Sequence, residues 1–119
     1  MNDYRLLVVD DDRTIRESLR SALEDEGFTV AVAANGAEAM AKMKERPPRL
    51  VLLDLMMPVL DGFDVLECMR ADPVLANVQV CICSAIASWA ELRADFILHK
   101  PFGVHEVMDV VTRSAEAPR

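Results

Sequence analysis

Three consecutive aspartates, Asp10 to Asp12, follow the apolar run LLVV at residues 6–9. An apolar run that stops at Asp reads as a buried strand opening into a polar loop. Adjacent anions repel one another, so a cation belongs close by, or one of the three caps a helix. Two kinds of phosphate chemistry fit this stretch, and the other polar strand ends decide between them. Asp54 closes the run LVLL, Ser84 closes VQVCIC, and His99 and Lys100 follow FIL. An acid pair, a lone acid, a hydroxyl and an amine thus end four separate apolar runs. No member of the set means much alone; together they form a constellation.

Bringing those ends together is the task of the fold. RLLVV (5–9), FTVAVA (28–33), LVLLD (50–54), VQVCIC (78–83) and FIL (96–98) read as strands. Helices are expected over 13–26, 37–44, 63–70 and 104–113. The first presents Ile15, Leu19, Ala22 and Leu23 on one face, the second Ala39, Met40 and Met43, and the last Val107, Met108, Val110 and Val111. Thr14 and Glu17 have capping-box spacing at the start of the first helix, and Gly27 suits its end. Pro47 and Pro48 close the second. Asp61 and Asp64 suit turn and cap roles, and the methionines read as core filler. Strands that are continuously apolar and alternate with helices indicate a parallel sheet covered on both faces. Ligands of such sheets bind where the carboxyl ends of the strands meet at a topological switch point. The polar residues fall at that end.

Composition narrows the function. The 119 residues suit one domain with a core that needs no disulfide, and 52% apolar with 28% charged residues is an ordinary globular balance. A net charge of −7 argues against direct nucleic-acid binding, which needs a basic patch. The apolar runs are too short to span a bilayer, and the N-terminus has no signal-peptide layout, so a cytoplasmic protein without membrane insertion is expected. Cys68, Cys81 and Cys83 suit neither a zinc site nor a disulfide framework. Cys81 and Cys83 alternate along one strand and read as reduced core residues sharing a face.

The motifs VVDD (8–11), LLDLMMPVLDG (52–62), CSA (83–85) and HKPF (99–102), in this order at strand ends, resemble the receiver domain of two-component response regulators, in its stand-alone, chemotaxis-regulator-like form. The resemblance covers nearly the whole chain. It implies a flavodoxin-like (βα)5 fold, a doubly wound five-stranded parallel sheet forming a single receiver over 1–119 with its core at about 4–114. It implies that Asp54 accepts a phosphoryl group and that Asp10 and Asp11, with Asp54 and the backbone carbonyl of Met56, hold Mg²⁺. Ser84 then matches the switch hydroxyl, Lys100 the phosphate-pairing lysine, and Pro101 a proline usually preceded by a cis peptide bond. The partners implied are a histidine kinase or histidine phosphotransfer protein and an unknown downstream protein. The domain is not expected to be an enzyme beyond its own phosphorylation and dephosphorylation. The chemistry is coherent: a carboxylate is nucleophilic towards phosphorus, and a hard cation with oxygen ligands offsets the anionic crowd. A hydroxyl that bonds an oxygen present only after transfer biases a two-state equilibrium.

Asp10-x-Asp12-x-Thr14 also matches the nucleophile motif of haloacid-dehalogenase-like phosphatases, with Asp10 as nucleophile and Asp12 as general acid. That reading leaves DLMMPVLDG unexplained and lacks a further downstream acid pair; Asp12 then reads as a helix cap or solvated loop acid. His99 reads as an exposed loop histidine, and His105 has no phosphotransfer features around it. The receiver resemblance departs from its pattern in two places. Ser84 and Lys100 are only sixteen positions apart (100 − 84), so the fourth helix of a receiver is expected to be short, shifted or absent, with Trp89 folded over the core it leaves. The aromatic residue usual three positions before the lysine is replaced by Ile97, with Phe96 on the opposite face of the strand. A phosphorylation-independent receiver serving as an interaction module is the alternative these departures leave open.

Overall fold

A computed structural model describes residues 4–57, 60–85 and 94–116. Nine elements follow in order: β1 (Arg5–Val9), α1 (Arg13–Asp25), β2 (Thr29–Ala33), α2 (Gly36–Glu45), β3 (Leu50–Asp54), α3 (Gly62–Ala71), β4 (Gln79–Ser84), β5 (Phe96–His99) and α4 (Val104–Glu116). All five strands pair in parallel, in the order β2-β1-β3-β4-β5. The chain therefore reverses its direction of winding between β1 and β3, and the crevice at their carboxyl ends is the switch point. The expected shortening of the fourth receiver helix, and Trp89 with it, fall outside the described residues. Four helices lie among those described.

Two cores sandwich the sheet, and strand alternation assigns the residues to them. Leu7, Val9, Val51, Leu53, Val80 and Ile82 face α2 and α3, where Met43, Val65 and Met69 complete a buried cluster. Leu6, Val8, Leu50, Leu52, Cys81 and Cys83 face the other way, against Leu19 and Leu23 of α1 and Val107, Val110 and Val111 of α4. The two cysteines are free and buried on one face, as their spacing implies. The Cys81 sulfur beside it, together with burial, raises the Cys83 thiol pKa and keeps it un-ionised. Among the described residues, no helix is long and apolar enough to cross a membrane.

The helix ends explain how the loops are set. Asp12, rather than the Thr14–Glu17 capping box, caps α1: its side chain accepts the Ile15 N–H, and the helix begins at Arg13, so Thr14 already lies inside its first turn. Gly27 has φ +94° and the Phe28 and Gly27 amides donate to the Leu23 and Glu24 carbonyls, a Schellman end that only a residue tolerant of positive φ closes without strain. Asp61 caps α3 by accepting from the Asp64 amide, as the sequence suggests. Met56 is the exception among the described methionines. It follows the buried Leu55 past the end of β3, and the residue is 65% exposed instead of filling the core.

Candidate functional site

The acids of the constellation meet at the switch point. Asp10 is the first residue past β1 and is buried; Asp54 is the last of β3 and is also buried, while Asp11 between β1 and α1 is exposed. One carboxylate oxygen from each of Asp10, Asp11 and Asp54 lies within 4.8 Å of the others. Burying two carboxylates side by side is unfavourable unless a cation joins them. Lys100 does so: its Nζ lies 3.3 Å from Asp10 Oδ2 and 3.3 Å from Asp54 Oδ1. The lysine arrives from β5, and its own amide donates to the Ser84 carbonyl at 2.7 Å. The Lys100–Pro101 peptide is cis, as the resemblance implies.

Backbone contacts fix the carboxylates. The Asp12 amide donates to Asp10 Oδ1 at 2.8 Å, and the Met56 amide donates to Asp54 Oδ1 at 3.3 Å. The turn after β3 must pass very close to α3. A Cβ on Gly62 would sit 2.5 Å from the Asp54 carbonyl oxygen and 2.6 Å from the Leu55 Cα, so the glycine permits that approach. Ser84, buried, closes β4 one residue beyond Cys83, which lies opposite Asp54 in the ladder. His99 ends β5 and is exposed.

Charge balance in the cluster follows from these distances. Burial and the neighbouring Asp10 carboxylate hold the Asp54 pKa above its ordinary value, against the opposing pull of Lys100 and the Met56 amide. Burial lowers the Lys100 pKa, but the two carboxylates outweigh it and leave the pKa raised, so the ammonium stays charged across the neutral range. An all-oxygen set of three converging carboxylates suits a hard divalent cation such as Mg²⁺.

Asp10, Asp11, Asp54, Ser84 and Lys100 thus fall at or just past the carboxyl ends of their strands, while Asp12 turns its carboxylate to the Ile15 amide of α1. That orientation counts against its use as a general acid beside Asp10. One neighbour is absent from the sequence reading: Arg16, whose Nη1 donates to the Asp10 carbonyl at 2.8 Å. An arginine inside an amphipathic helix gives no sign in one sequence that it reaches back to a loop.

A doubly wound α/β domain with an acid cluster and one lysine at its switch point defines the class. Comparison with known proteins supplies the family. The profile of the response regulator receiver domain matches residues 6–112, and the chain belongs to that family. It is 39% identical over 108 residues to the response regulator MprA of Mycobacterium sp. (strain KMS), covering 87% of this chain and 47% of the relative. It is 42% identical over 110 residues to the transcriptional regulatory protein PrrA of Mycobacterium tuberculosis (strain ATCC 25618 / H37Rv), covering 87% and 46%. The chain thus spans about half the length of these relatives. The chemotaxis response regulator CheY4 of Vibrio cholerae superposes with a TM-score of 0.88 at 26% identity, over 95% of this chain and 99% of that one.

Proposed function

We propose that this receiver accepts a phosphoryl group on Asp54 from a phosphohistidine, carried by a histidine kinase or a histidine phosphotransfer protein, and that Mg²⁺ is its cofactor. The observation that carries the proposal is the cluster itself: three carboxylates within 4.8 Å and Lys100 bridging two of them. Asp10, Asp11, Asp54 and the Met56 carbonyl would hold the cation, whose charge lets an anionic carboxylate meet an anionic phosphoryl group.

In the transfer, an Asp54 carboxylate oxygen attacks phosphorus. The new O–P bond forms as the P–N bond breaks, and the imidazole nitrogen keeps the electron pair and takes a proton from solvent. The product is an acyl phosphate. Lys100 turns from its carboxylates to the phosphoryl oxygens, and the Ser84 hydroxyl donates to one of them, drawing the end of β4 towards the site. Ala85, small and exposed, leaves the donor an approach.

The domain is no enzyme in the sense of turning over a separate substrate; its chemistry is its own loading and unloading. It works in the cytoplasm as a receiver whose phosphorylation changes contacts with a downstream protein. Treatment with acetyl phosphate and Mg²⁺ followed by intact-mass spectrometry tests this. The wild type is expected to gain one phosphoryl group and Asp54→Ala none. An unmodified wild type would leave only the phosphorylation-independent interaction module.

A further inference from the structure

We propose that Arg16 is a positioning residue for the acid pair: by holding the Asp10 carbonyl it fixes the turn from which Asp10 and Asp11 reach the divalent cation. The inference rests on the metal-binding reading above. The β1 ladder to both neighbours registers only through Val9, so the Asp10 carbonyl lies past the regular pairing, although the Asp10 amide still reaches Ala33. Helical side chains lean towards the helix N-terminus, so a residue in the first turns of α1 can cover the loop preceding it. Arg16 does this, with its Nη1 2.8 Å from that carbonyl. Among the described residues Arg16 makes no ion pair with a carboxylate, so its guanidinium acts on the backbone rather than competing with a metal for Asp10 or Asp11.

Asp11 explains why such a brace matters. It is exposed, and among the described residues its side chain makes no hydrogen bond, so only the backbone on either side sets where its carboxylate points. On the far side, Asp12 is doubly fixed: its amide donates to Asp10 Oδ1 and its carboxylate accepts the Ile15 amide. On the near side, the Asp10 carbonyl is held by Arg16 through a charge-assisted bond, stronger than a neutral one. Removing it releases one flank of the residue that has no anchor of its own.

The test compares Mg²⁺ affinity, by calorimetry on folded protein, with the melting temperature of the metal-free protein. Wild type, Arg16→Met and Arg16→Lys are measured. Arg16→Met is expected to weaken Mg²⁺ binding about tenfold, the usual loss when a group supporting metal ligands is removed. Arg16→Lys, which keeps one charged donor, is expected to recover part of that affinity. An Arg16→Met protein that melts lower but binds Mg²⁺ as tightly as wild type would make Arg16 a purely structural residue and overturn the inference. A wild type that binds no Mg²⁺ would instead overturn the metal-site reading, so the two failures are distinct.

Discussion

The two ends of the sheet are built on opposite electrostatic terms. At the carboxyl end, three carboxylates crowd around one lysine, and Asp54 is held above its ordinary pKa by burial and by Asp10. At the amino end, several buried polar groups pair with one another. Tyr4 bonds Ser114 of α4, which donates in turn to Gln79 at the start of β4. Arg70, leaving α3, donates to the Ala76 and Val78 carbonyls at 2.9 and 3.0 Å and pairs with Asp95 at 3.2 Å. Asp95 also accepts the Val80 amide at 2.8 Å, which pins the start of β5 to β4. One end holds the scaffold; the other keeps an excess of negative charge that a cation or a phosphoryl transfer can exploit. Burial and repulsion at the acidic edge thus work against the Lys100 ion pairs, whereas the amino end carries no such opposition among the contacts named.

The contrast can be broken from either end. The largest effect expected is from metal. Mg²⁺ at a hundredfold excess over its dissociation constant adds about 2.7 kcal/mol of stability to a protein that binds it only when folded. The wild-type melting temperature should therefore rise with Mg²⁺, and Asp11→Ala should lose most of that rise. A melting curve indifferent to saturating Mg²⁺ would remove the acid pair from the metal site.

Next in size is a change at the amino end. Arg70→Met removes the guanidinium that two carbonyls and the Asp95 carboxylate share, and urea denaturation should show a loss of about 2 kcal/mol. Loading of Asp54 should be retained, because the site lies at the other end of the sheet. A variant as stable as wild type would show that water replaces Arg70 without cost.

The smallest effect runs in the opposite direction. The raised Asp54 pKa means that the native state holds this proton more tightly than the unfolded chain does. Its contribution is fully favourable below the ordinary carboxylate pKa and is lost as pH rises through the raised value. Asp54→Asn should therefore match the wild type in acid and melt a few degrees higher near neutrality in metal-free buffer. A variant less stable than wild type at neutral pH would show that the Lys100 ion pair outweighs burial and repulsion.

Much of this was legible from the chain. The five strands and four helices among the described residues follow from apolar runs and helical stripes, because period and burial are properties of contiguous residues. The acid cluster was legible for the same reason: in a parallel sheet every strand delivers its last residue to one edge, so Asp10, Asp54, Ser84 and Lys100 needed only correct strand ends. What escaped depends on direction rather than period. Thr14 and Asp12 both have capping chemistry, and only the trajectory of the β1–α1 turn decides that Asp12 takes the role. Met56 has the composition of a core residue but sits where the turn faces outward. Arg16 acts on a backbone carbonyl six positions back, a contact that no residue pattern encodes.

On the proposed function, the phosphoryl group resides on Asp54. Borohydride reduction converts an acyl phosphate to a stable homoserine, so peptide mapping after acetyl phosphate and Mg²⁺ treatment reads the modified position directly. The expected result is homoserine at residue 54 alone. Modification at Asp10 instead would contradict it and favour the phosphatase-like use of the first aspartates.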